Sequence, residues 1–179
     1  VTHGFGARQI LDDASFRLLK GEHVGLIGAN GEGKSTFLNI ITGKLPPDEG
    51  KIEWSNQVTV GYLDQHAVLE KGMTIRDVLQ SAFDDLFVME QNINNAYNRM
   101  GDVSEDEMNK LLEQVGEWQE ILEQRGFYEI DAVIERTAAG LGLVDIGLDR
   151  DVTELSGGQR TKVLLTKLLL EKPTILLLD

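Results

Sequence analysis

Apolar positions in the first 65 residues come in short runs broken by glycine, the texture of strands, turns and a single helix. Val24-Gly25-Leu26-Ile27 predicts a short buried strand, and the glycine-rich stretch over 28–33 predicts a loop. Phe37, Leu38 and Ile41 fall at helical spacing, so a helix is expected over 34–42, ended by Gly43 and the Pro46-Pro47 pair. Residues 52–54 and 58–63 then read as strands around a Ser55-Asn56-Gln57 turn.

The pattern changes after residue 72. Ile75, Leu79, Ala82, Leu86, Met89, Ile93, Ala96 and Met100 alternate spacings of four and three, a heptad seam. Ser104 with Glu107 three residues on is a capping-box start for a second helix, on which Met108, Leu111, Val115, Trp118 and Leu122 continue the seam. A short connection leaves two long helices little choice but to fold back antiparallel, so 74–125 predicts a helical hairpin with a first arm of about 40 Å. The alternative is that these helices are simply part of a globular core. A shorter helical stretch is expected over 127–143, another over 158–171, then the breaker Pro173 and a terminal strand. The organisation expected is 1–72 as a core, 73–126 as the hairpin and 127–179 as a helical part ending in a strand.

Composition narrows the classes. With 179 residues, 41% hydrophobic and 26% charged, the chain is long enough for a real core and unlike a disordered or fibrous sequence. Its net charge of −13 disfavours wrapping naked nucleic acid, and no DNA binding is expected. Eight of those net negative charges fall in 70–125, where 13 acids face 5 bases. That concentration is either a solvated helical face or a docking surface for a basic partner. Cysteine is absent, so disulfides and thiolate metal sites are excluded. No apolar run approaches the length needed to span a bilayer, and a cytoplasmic protein is expected. His3, His23 and His66 are scattered without metal spacing.

Gly28-Ala29-Asn30-Gly31-Glu32-Gly33-Lys34-Ser35-Thr36 fits the phosphate-loop pattern. Glycines let backbone N–H groups turn inward around phosphate oxygens, and the following helix aims its N-terminus at the same anion. Lys34 would reach the β- and γ-phosphates, and the Ser35 hydroxyl would ligate magnesium. One such loop leaves many nucleotide-binding classes open. Leu155-Ser156-Gly157-Gly158-Gln159 opens another helix with a hydroxyl and two glycines, and alone Ser156 would read as an N-cap. Ile175-Leu176-Leu177-Leu178-Asp179 is an apolar strand that presents an acid at its carboxyl end, where parallel-sheet sites place a magnesium carboxylate.

With these three segments the sequence resembles the ATP-binding cassette superfamily. The stretch from Gly28 to Thr36 looks like its Walker A, Leu155 to Gln159 its signature and Ile175 to Asp179 its Walker B. The resemblance implies an α/β P-loop ABC ATPase core with a mixed sheet, plus an inserted antiparallel α-helical hairpin and a helical subdomain. It implies ATP and Mg2+ as cofactors. Gln65 matches the Q-loop glutamine, which touches magnesium and the attacking water, and Phe5 falls where the family stacks an aromatic on adenine. Phe5 could equally be a core residue. The nearest likeness is to the ABC-F proteins, soluble twin-cassette ATPases without transmembrane domains, whose first cassettes carry an arm insertion where the hairpin falls. Asp64 stands where many members have Pro or Glu.

Several expectations follow from that likeness. ABC-F members act on ribosomes as translation or antibiotic-resistance factors, so partners would be a second cassette and a ribosome, with the acidic arm docking on a basic ribosomal protein. The site is composite in the family, so Ser156 to Gln159 would serve a nucleotide on the partner cassette. Lys34, Gln65 and Asp179 would be catalytic, with Ser35, Gln65 and Asp179 around the metal. Both ends of the chain read as cut, since it starts at Val1 and stops at Asp179, where the family continues with a catalytic glutamate. The chain by itself is therefore expected to bind nucleotide at best and to be inactive in hydrolysis. Two other readings stand beside this one: the ATP-binding subunit of a membrane transporter, and a non-enzymatic nucleotide-gated scaffold. The 89 residues between Gln65 and Leu155 sit less well with the compact helical subdomain of a transporter subunit.

Overall fold

A computed structural model describes residues 1–63 and 67–179. The chain divides into two compact units, one holding the described residues of 1–65 with 173–179, the other those of 66–172.

In the first unit, β1 (His3–Phe5) and β2 (Arg8–Leu11) form an antiparallel hairpin with Phe5 directly opposite Arg8. The connection is Gly6-Ala7, two residues, with Gly6 at a φ of 60°. Helix α1 (Lys34–Ile41) buries Leu38 and Ile40, and the Trp54 indole donates to its Ile41 carbonyl at 3.2 Å. Strand β3 (Val60–Leu63) runs parallel to β4 (Ile175–Leu178), pairing Val60 with Ile175 through Leu63 with Leu178. Thr59 and Thr174 clamp the start of this pair, because the Thr174 and Ile175 amides both donate to the Thr59 carbonyl. Parallel pairing brings two chain segments more than a hundred residues apart into register and places Asp179 at the carboxyl end of β4.

Two expected strands are not found. Among the described residues, 24–27 and 52–54 pair with no neighbour, and Val24, Leu26 and Ile27 are exposed, Ile27 by 95%. An apolar run signals a wish for burial, whereas a strand needs a hydrogen-bonding neighbour at the right place, and that is a tertiary matter.

The second unit is helical: α2 (Ile75–Gln80), α3 (Asp84–Arg99), α4 (Glu105–Gln124), α5 (Ile130–Gly140) and α6 (Gly157–Glu171). Its core joins Ile75, Leu79, Leu86, Val115, Leu122, Ile134, Leu143, Val152 and Val163. Helices α3 and α4 pack side by side, their seam burying Leu86, Ile93 and Ala96 against Val115 and Leu122. Gln119 donates to the Tyr97 hydroxyl at 3.2 Å, and Arg125 pairs with Asp85 across them. Ser104 caps α4 as expected, accepting from the Glu107 amide.

The continuous first arm, however, is broken by a 3-10 turn at Ser81–Phe83. The Ser81 hydroxyl donates back to the Val78 carbonyl at 2.6 Å, a bond that competes with regular helix. Asp84 and Asp85 then open α3, where acids favour a new helix start. At 16 residues α3 is about 24 Å long, well short of the expected 40 Å. The helix expected over 127–143 likewise begins as a 3-10 turn, Phe127–Glu129, before α5.

Asp151 ties this unit together at its loop end. Its carboxylate accepts from the Thr153 hydroxyl at 2.6 Å, the Thr153 amide at 2.8 Å and the Gly72 amide at 2.8 Å. Those bonds, the hydroxyl first, hold its carboxyl below the ordinary aspartate value. A depressed folded-state value means that the contribution is whole above the ordinary aspartate range and disappears as pH falls through the depressed one. Asp151→Asn is therefore expected to flatten the acid limb of the stability profile, read from urea melts across a pH series. Profiles that fall in parallel for both proteins would remove Asp151 from that limb.

Candidate functional site

The site is assembled in the first unit from three pieces: the β1–β2 hairpin, the glycine loop leading into α1, and the end of β4. Together they line an open cavity of about 610 Å³ bounded by Phe5, Arg8, Ile10, Asn30, Lys34 and Asp179, with Gly31, Gly33, Ser35 and Thr36 completing the wall. Its existence depends on how the loop turns into the helix. Gly33 occupies the N-cap of α1 at a φ of 100°, and a Cβ there would stand 2.3 Å from Ile10 Cγ2. Only glycine meets both conditions at this junction.

Within the loop, the Lys34 ammonium curls back and donates to the Gly28 and Ala29 carbonyls, 2.8 Å each. The Glu32 carboxylate accepts from the Ala29 amide at 2.7 Å. A loop amide thus already receives an anionic oxygen from the loop's own side chain, the kind of group that a phosphate presents. At the other side of the cavity, the Ser35 hydroxyl donates to Asp179 at 3.2 Å, bringing together residues 144 positions apart. The Tyr62 hydroxyl donates to the second Asp179 oxygen at 3.5 Å. A hydroxyl beside a carboxylate, next to a polyphosphate cradle, offers oxygen ligands of the kind magnesium takes, with water and phosphate supplying the rest. The donor set fits a magnesium nucleotide: Lys34 and the loop amides toward phosphates, Ser35 and Asp179 toward the metal. Bound there, the metal would neutralise phosphate charge.

Phe5 is 56% exposed and meets His3 edge-on with ring centroids 4.9 Å apart, so it is no core residue and its ring is available at the cavity wall. Asn30, Gly31 and Thr36 line the same space, and Gly28, Ala29 and Glu32 form the loop behind Lys34. Gln65 lies outside the described residues. Leu155, Ser156, Gly157, Gly158 and Gln159 belong to the other unit. There Leu155 is buried, while Ser156 caps α6 in a reciprocal box: its hydroxyl accepts from the Gln159 amide, and Gln159 accepts from the Ser156 amide. The N-cap alternative raised for Ser156 is thus realised, and Gly157 and Gly158 stand exposed in the first turn.

Arg8, Ile10 and Tyr62 also belong to the site, outside every motif of the sequence. A signal for Arg8 existed: a two-residue Gly6-Ala7 connection makes Phe5 and Arg8 a facing pair. For Tyr62 there was none, since its nearness to Asp179 depends on β3 lying beside β4.

A family model described as ABC transporter matches residues 11–179. The chain belongs to the ABC transporter family. It is an ABC ATP-binding domain, and the P-loop ABC fold class expected from its motifs is the one observed. A solved structure described as the ATP binding subunit of an ABC transporter aligns with a TM-score of 0.65 over 99% of this chain and 62% of its own, at 22% identity, a likeness of fold. Among curated relatives, an uncharacterised ABC transporter ATP-binding protein of Bacillus subtilis, YfmM, is 69% identical over the whole chain. The energy-dependent translational throttle protein EttA of Mycobacterium tuberculosis is 34% identical, again over the whole chain. This ABC domain spans 35% of the length of the first relative and 31% of the second. No helix among the described residues is long and apolar enough to cross a membrane.

Proposed function

We propose that this domain is the first cassette of an ABC-F protein which, at full length, binds and hydrolyses ATP with magnesium and acts on the ribosome in the cytoplasm, as a translation or antibiotic-resistance factor. The observation that carries the nucleotide part is the 3.2 Å approach of Ser35 to Asp179 beside Lys34 in one cavity. Phe5 would stack on the base, Lys34 and the loop amides would hold the phosphates, and Ser35, Asp179 and Gln65 would attend the metal. Ser156 to Gln159 would complete the site of a second cassette in the full-length protein, which would close on ATP and reopen after hydrolysis.

The ribosomal part is supported by the likeness to EttA along the entire chain, hairpin included. In this reading residues 73–126 are the arm. Its α4 surface carries exposed Glu113, Glu117 and Glu120, a negative face suited to a basic ribosomal protein rather than to RNA. Reversing those three charges in the full-length protein is expected to weaken co-sedimentation with ribosomes and flatten its salt dependence. Unchanged pelleting would remove the docking role. The fold likeness to a transporter's ATP-binding subunit favours a second reading, in which the domain serves a membrane partner. Full-length protein that fractionates with membranes and leaves ribosomes bare would decide for it.

A further inference from the structure

We infer that Arg8 is a second cationic contact for the polyphosphate of the nucleotide, supplied by the β1–β2 hairpin from outside the glycine loop. The inference rests on the reading of the cavity as a nucleotide site and adds to it a residue that the loop pattern does not contain.

Three observations carry it. First, the hairpin register sets Arg8 directly opposite Phe5, and facing residues of an antiparallel pair project to the same side. Both line the cavity with Lys34, Ser35 and Asp179. A base lying on Phe5 would therefore send its phosphates past the base of the Arg8 side chain toward the loop. Second, the Arg8 guanidinium is already at the loop rim, donating to the Gly31 carbonyl at 3.1 Å. Third, that carbonyl is its one polar contact among the described residues, and it has no carboxylate partner there. Among the described residues Arg17, Arg99, Arg136 and Arg160 also lack an acid partner, whereas Arg76, Arg125 and Arg150 have one, but of these arginines Arg8 is the one that lines the cavity. Arg8 has four further N–H donors and a full charge facing the cavity. A planar fork of this kind matches phosphate oxygens two at a time, which an ammonium cannot do.

The contact has a selective consequence. Arg8 would favour ligands with β- and γ-phosphates, because AMP ends before the loop rim. The test uses full-length protein and isothermal titration with magnesium-ATP, ADP and AMP, following the binding step that Lys34→Ala removes. Arg8→Ala is expected to weaken ATP and ADP about tenfold while leaving AMP unchanged, the size of a lost charge-assisted hydrogen bond. Arg8→Lys, which keeps the charge and loses the fork, is expected to fall between, and circular dichroism checks that both variants fold. Equal weakening of ATP and AMP would make Arg8 a mere support for Gly31 and overturn the inference. So would an unchanged ATP affinity in Arg8→Ala while Lys34→Ala abolishes binding. If Lys34→Ala itself keeps full ATP affinity, the nucleotide site falls and Arg8 with it.

Discussion

Lys34→Ala is expected to abolish ATP binding at this cassette, a loss of about a hundredfold or more. Two effects add. The ammonium is the cation at the centre of the loop, so its removal leaves the phosphates with backbone amides and Arg8 alone. It also strips the donor from the Gly28 and Ala29 carbonyls, which both receive a 2.8 Å bond from Lys34. Two loop carbonyls left without their cation would add negative potential near the bound phosphates. Lys34→Gln separates the effects, since its amide keeps an N–H donor for the loop carbonyls without the charge. Titration of the full-length variants with magnesium-ATP provides the check, and a loss of less than threefold in Lys34→Ala would sink the role given to it.

Gly33→Ala is the second large effect, and it reaches stability as well as binding. The added methyl meets two objections. At a φ of 100° an L-residue is strained, and its Cβ would lie 2.3 Å from Ile10 Cγ2, far inside contact distance. Ile10 cannot swing away easily, because a β-branched side chain is stiff at χ1. Strain and overlap together are expected to cost about 2–4 kcal/mol and to pull the loop from β2, with ATP affinity lost in parallel. Adding Ile10→Ala should return the steric share and leave the backbone share, so the double variant should be more stable than Gly33→Ala alone. Thermal melts of Gly33→Ala, Ile10→Ala and the double variant test this. A Gly33→Ala protein melting with the wild type would show that the loop does not press on β2.

How much of this was legible beforehand differs from element to element. The loop over 28–36 could be read because its chemistry is local: glycines, a lysine and a hydroxyl at fixed spacing on one short segment. The seam from Ile75 to Met100 could be read because burial on a helix is periodic, and most of those positions are indeed buried or half-buried. The break at Ser81 was not, since a seam reports which side faces the core and is silent on whether one hydroxyl turns back on the backbone. The apolarity of residues 24–27 predicts a strand, yet they pair with nothing among the described residues. Arg8 carries no local motif, because its importance lies in a hairpin register and a carbonyl 23 residues away.

The amino-acid order alone determined the class of chemistry, a phosphate-gripping loop with a hydroxyl and a strand-end acid, and it determined which helical faces are apolar. Those are properties of neighbours along the chain, carried by side-chain type and spacing. Tertiary structure alone decided that Ser35 meets Asp179, that Arg8 reaches the Gly31 carbonyl, and that Gly33 must yield to Ile10. Each of these is a distance between segments far apart in sequence, set by strand pairing and close packing, and no local pattern encodes it.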